Sequence, residues 1–217
     1  MMASDIPVVY YVFDALCGWC YGFSPVMETF YEKHREDPLE FRVLSGGMVL
    51  GEREGPIGEV AGYIKEAYKE VEKNTGVAFG QAFLDNILAP GTARFTSLPA
   101  ALAMAAFRRY QPDNAIPFAA RIQKAIYAEG KPPAEASTFG ECAEDFGMQS
   151  AAFMKLMVDK ELLELVRREF KVVQEWGIRG FPAVIYQAGE QGYLLAQGYT
   201  DEAGLEENLK MAREKAH

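Results

Sequence analysis

Cys17 and Cys20 stand one helical turn apart in LCGWCYGF, residues 16–23, and the chain holds only one other cysteine, Cys142. Two thiols at this spacing suit thiol–disulfide exchange if the pair opens a helix. The first sulfur then lies over unpaired backbone N–H groups at the positive end of the helix dipole, and both favour thiolate over thiol. Cys17 is the expected nucleophile. Cys20, one turn inside, is placed to attack a mixed disulfide on Cys17 and release the reduced partner. Gly18 lets a tight turn form, and Trp19 can cover the pair with a partly exposed apolar ring.

Two plainer uses of such a pair compete. Half a zinc site is one, but zinc wants four ligands and only Cys142, His34 and His217 remain to supply them. Two small buried hydrophobes is the other. Asp14, three residues before Cys17, is read as a cap on the turn in preference to a proton acceptor for the thiols. Far along the chain, Gly180-Phe181-Pro182 precedes the strand-like AVIY. A proline is tolerated in a strand only at an edge or first position because it lacks a ladder donor, and Pro182 fits either a cis bond or an ordinary strand start.

The elements that must position these residues can be read from periodicity. Residues 7–14 (PVVYYVFD) are β-branched and aromatic, as in a strand buried on both faces of a parallel sheet. Apolar residues then recur at three- and four-residue spacing over 18–36, which predicts a helix with Pro25 near its start as a possible kink. Residues 39–47 alternate and stop at two glycines, predicting a second strand. The middle of the chain is alanine-rich with helical spacing, and a further helix spans 159–176 between Asp159 as N-cap and Gly177 as C-cap. Residues 180–187 and 192–198 predict a hairpin, and a last helix starts at Asp201. Residues 1–55 and 170–217 are therefore expected to form one α/β unit, with 56–169 as a helical insert.

The 217 residues, 49% apolar and 24% charged, suffice for a packed core. A net charge of −9 opposes nucleic-acid and anionic-membrane partners, and no basic patch offsets it. The start has neither a basic n-region nor a long apolar run, so a cytoplasmic protein is expected. Cys142 reads as a core cysteine and His34 as a solvated helix end. Met104, Phe107, Tyr110, Phe118 and Tyr127 form an apolar stripe of the insert, part of which has the option of lining a groove above Cys17.

YVFDALCGWCYGFSP together with WGIRGFPAVI resembles the DsbA family of thioredoxin-fold oxidoreductases, in particular its cytoplasmic FrnE-like branch of protein-disulfide isomerases. The resemblance implies a thioredoxin-like fold interrupted by an α-helical domain. It implies Cys17 as attacking thiol, Cys20 as resolving thiol and Pro182 as a cis-proline facing them. It further implies that backbone at Phe181 docks an extended substrate, with Trp19 beside it. Thr96-Ser97-Leu98-Pro99 resembles the family segment that opens an insert helix near the active site. Ala15 departs from a proline common in the branch, and Gly18-Trp19 differs from the Pro-His of strongly oxidising relatives, whose potential does not transfer. The expected function is disulfide exchange or isomerisation on protein or low-molecular-weight thiol substrates, with no bound cofactor and no metal. The alternatives are a glutathione-dependent transferase or isomerase of the kappa-class or 2-hydroxychromene-2-carboxylate isomerase type, and a non-catalytic zinc-holding or holdase module.

Overall fold

The computed structural model describes residues 6–216. Strand β1 (Val8–Phe13) leads through a turn into helix α1 (Gly18–His34), followed by β2 (Glu40–Ser45). A two-residue ladder pairs β3 (Gly55–Pro56) with β4 (Arg94–Phe95) and encloses helices α2 (Ala61–Thr75) and α3 (Gln81–Phe83). Helices α4 (Leu98–Arg108), α5 (Ala115–Tyr127), α6 (Ala136–Glu144), α7 (Ser150–Leu156) and α8 (Lys160–Glu175) follow. The chain closes with β5 (Ala183–Ala188), β6 (Gln191–Gln197) and α9 (Glu202–Ala216). The result is the thioredoxin-like α/β fold carrying inserted helices.

The main sheet has the order β2-β1-β5-β6. Its central strand β1 runs parallel to β2 and antiparallel to β5, so Tyr11 faces Val43 on one side and Val184 on the other. This corrects the expectation of a parallel sheet. An apolar run records burial on both faces but not the direction of the neighbours. The β3–β4 ladder and α7 were also absent from the sequence reading, because two-residue strands and a seven-residue helix are too short to show a period.

Cys20, Phe23, Met27 and Phe30 lie on one face of α1 and are fully buried. Burying side chains of this size contributes roughly 1.5–3 kcal/mol each, an upper figure because the unfolded chain is itself partly collapsed. α1 runs unbroken through Pro25. Pro25 has no N–H for the Tyr21 carbonyl, and the Ser24 hydroxyl donates to that carbonyl instead, at 2.8 Å. The inserted helices share one continuous core with α1 and the sheet, and within it Phe107 and Phe118 stack at 3.8 Å. Met104 and Tyr127 of the expected stripe are buried too, whereas Tyr110 is 58% exposed beyond the end of α4.

His34 is not solvated. It is buried, with Nδ1 2.8 Å from Asp37 and Nε2 3.0 Å from both carboxylate oxygens of Glu206, which tie the end of α1 to α9. Asp159 caps α8 by accepting from the Glu161 N–H at 2.9 Å, and Gly177 follows that helix with φ +72. Among the described residues, no helix is long and apolar enough to cross a membrane.

Candidate active site

The turn between β1 and α1 is built around Asp14. The Cys17 N–H donates to the Asp14 carbonyl at 3.0 Å, and the Leu16 N–H donates to its carboxylate at 3.0 Å. The other carboxylate oxygen accepts from the Met48 N–H at 2.7 Å, so this one side chain joins the turn to the loop after β2. Burial pushes the Asp14 carboxyl above its ordinary range, against the opposing pull of the Met48 and Leu16 donors. Its contacts are those of a cap on the turn. The adjoining Ser97, in the segment that opens α4, accepts from the Val49 N–H at 2.9 Å.

Cys17 is the N-cap of α1, in extended conformation, and its side chain makes no capping bond to the helix. Its thiol instead donates to the Phe181 carbonyl at 3.4 Å. Cys17 and Cys20 are both free thiols, at the N-cap and in the first turn of α1. Cys20 is sealed from solvent, and burial, followed by the hydrogen bond and charge of Cys17, drives its thiol well above the ordinary cysteine value. A protonated, buried Cys20 is a poor nucleophile.

The Phe181–Pro182 peptide bond is cis. Pro182 is buried, its carbonyl accepts from the Gly198 N–H at 2.8 Å, and the half-buried Phe181 ring lies against the backbone of Gly46, where a Cβ would run into it. The loop before β5 is thereby held between the ends of β2 and β6, with its carbonyl aimed at Cys17. Trp19 is half-buried, 6.5 Å from the Tyr199 ring.

A groove of about 690 Å³ opens over Cys17 between this loop and α2. Its walls include Met48, Tyr68, Phe79 and Tyr127, and its rim carries Arg53 and Arg179 with Glu52 and Glu59. Neither guanidinium is paired with a carboxylate among the described residues. Also among the described residues, no group of three or more His, Cys, Asp or Glu side chains is placed to hold a metal ion.

The sequence did not single out the groove residues Met48, Tyr68, Phe79, Arg53 and Arg179, nor one buried residue behind the dithiol. Gln123, on α5, is fully buried. With its amide oriented to match donors to acceptors, it donates to the Cys20 carbonyl at 3.2 Å and accepts from the Tyr21 N–H at 3.1 Å. The signal was present: Gln123 is a polar residue on the apolar stripe of AIPFAARIQKAIY, where an unpaired amide is costly.

The model of the DsbA-like thioredoxin domain matches residues 8–210. This chain belongs to the DsbA-like family. Among solved structures, this DsbA-like protein is similar to a candidate protein disulfide isomerase from Nitrosomonas europaea, at 26% identity and a TM-score of 0.82, over 96% of this chain and 98% of that one. It is also similar to the cytosolic disulfide reductase DsbM from Pseudomonas aeruginosa, at 24% identity and a TM-score of 0.79, over 96% and 99% of the two chains. A 2-hydroxychromene-2-carboxylate isomerase shares the fold at 17% identity and a TM-score of 0.64, over 96% and 98%. No curated protein sequence matches. Family membership and the adjacent dithiol make this DsbA-like protein a thiol–disulfide oxidoreductase.

Proposed function

We propose that Cys17 attacks the substrate disulfide and Cys20 resolves the mixed disulfide, with protein disulfides and low-molecular-weight disulfides as substrates. The observation that carries this reading is the Cys17–Phe181 contact at 3.4 Å on the floor of the groove, with Cys20 sealed behind it. When Cys17 loses its proton or forms a mixed disulfide, the Phe181 carbonyl is released and becomes free to pair with the backbone of an extended substrate. Gly18 and Trp19 shape the turn, Asp14 braces it, and Pro182 presents the docking carbonyl. Residues 56–169 act as an insert that walls the groove, and 1–55 with 170–217 as the thioredoxin-like part.

Low-molecular-weight thiols are included for a specific reason. A neighbouring structure, DsbM of Pseudomonas aeruginosa, was solved with GSH, a tripeptide with two carboxylates and one ammonium. The unpaired Arg53 and Arg179, with Glu52 and Glu59 on the same rim, suit such a zwitterion. Two molecules of a monothiol of this class would also return an oxidised pair to the dithiol state. The cytosolic designation of that neighbour supports a cytoplasmic setting, where thiols are kept reduced.

Insulin reduction in the presence of glutathione tests the reading. Expected is turnover by the wild type that falls to background in Cys17→Ser. Activity retained in Cys17→Ser contradicts it. Conjugation of an electrophile with glutathione by the double Cys17→Ser, Cys20→Ser protein would favour a transferase instead.

A further inference from the structure

Tyr127 ends α5 and lines the groove together with Cys17. Its ring is fixed on three sides: Tyr21 stacks on it at 5.2 Å, while Phe79 at 5.2 Å and Phe83 at 5.1 Å meet it edge-on. The residue is 3% exposed. Its hydroxyl has no hydrogen-bond partner among the described residues. The hydroxyl is not sealed: it keeps a little solvent access and belongs to a groove-lining residue, so its O–H is open to an acceptor that arrives there. Burial, and then the charges of Cys17, Asp14 and Cys20, push this phenol well above its ordinary value. It therefore keeps its proton and has an O–H to donate.

Building on the exchange reaction proposed above, we infer that the Tyr127 hydroxyl is the hydrogen-bond donor to the sulfur that leaves when Cys17 opens a substrate disulfide. The Cys17 thiolate forms a new S–S bond to one substrate sulfur, and the old S–S bond breaks with its electron pair on the other. That sulfur departs into the groove as a thiolate, accepts the Tyr127 O–H while its charge develops, and takes a proton from solvent. Cys20 then bonds to Cys17 and expels the second substrate sulfur, which takes the proton that Cys20 gives up. Two electrons have passed from the dithiol to the substrate. A fixed donor aimed at developing charge acts most strongly where water is scarce.

Such a donor matters for a poor leaving group and little for a good one, because a stable aryl thiolate needs no help. The test compares reduction of bis(2-hydroxyethyl) disulfide with that of an aryl nitrobenzoate disulfide, under single-turnover conditions, by wild type and Tyr127→Phe. Expected is a loss of roughly tenfold on the alkyl disulfide, from the ordinary worth of a hydrogen bond to charge. On the aryl disulfide the change should stay within about twofold. Equal losses on both, as a packing defect would cause, or no loss on either, overturn the inference. Should Tyr127→Phe not fold, 3-fluorotyrosine at 127 supplies a more acidic donor and should raise the alkyl-to-aryl rate ratio; an unchanged ratio overturns the inference as well. A wild type inert toward both disulfides overturns the exchange reading itself, whereas a reactive wild type with an unaltered ratio in the variant overturns only the role of Tyr127.

Discussion

The Cys17 thiol donates to the Phe181 carbonyl across 3.4 Å, joining residues 164 positions apart on the floor of the groove. Three supports hold this contact: the turn braced by Asp14, the Phe181 ring on Gly46, and the Gly198 bond to the Pro182 carbonyl. Each support can be weakened separately.

Gly46→Ala places a methyl where the Phe181 ring lies, and the ring or the β2 end must shift. Overpacking of this kind costs about 1–3 kcal/mol. We expect that loss in a urea melt, together with slower exchange at Cys17. Gly180→Ala, one residue before Phe181 but with open space around its Cβ, should stay within about 0.5 kcal/mol.

Asp14 links stability to pH in a defined direction. Its carboxyl is raised in the folded state, so between the ordinary carboxylate value of about 3.9 and the higher folded value the native protein binds more protons than the unfolded chain. Stability contributed by this group is full below that window and is lost as pH rises through it. Urea melts of wild type and Asp14→Asn across the acid range should diverge there, the wild type alone carrying this downward slope. Parallel curves would show that the carboxyl does not titrate as described.

Gln123 joins the insert to the first turn of α1. Gln123→Leu removes a buried amide that serves one acceptor and one donor, at an expected cost of about 1–3 kcal/mol. Gln123→Glu should be worse at neutral pH, because a carboxylate would face the Cys20 carbonyl with no proton to donate. Equilibrium denaturation of the two variants side by side gives the order.

The third cysteine is a control within the chain. Burial pushes the Cys142 thiol up to about 12, so at pH 8 about one molecule in ten thousand is thiolate there. Brief alkylation of the folded, reduced protein should label Cys17, with Cys142 reacting only after denaturation, as read by peptide mass spectrometry. Early labelling of Cys142 would contradict its burial.

How far the chain disclosed this arrangement differs from residue to residue. The dithiol turn, the strand before it and the hairpin after Pro182 were legible, because spacing, β-branching and turn residues are local signals. The capping bond of Asp159 was legible for the same reason. His34 was misread because the decisive carboxylate, Glu206, lies 172 residues away, and only Asp37 stood nearby to hint at it. The direction of β5 against β1 had no local signature. Gln123 and Tyr127 meet α1 and the groove only after the insert folds back, although a lone amide on an apolar stripe was a visible anomaly.

The central claim is that Cys17 captures the substrate and Cys20 releases it. Incubating reduced Cys20→Ser protein with an excess of oxidised glutathione, then locating the adduct by mass spectrometry, tests it most directly. Expected is one glutathione, held in a stable mixed disulfide at Cys17 and absent from wild type, which would proceed to its internal disulfide. No adduct, an adduct on Cys142, or a wild type that retains glutathione on Cys17 as long as the variant does would contradict it.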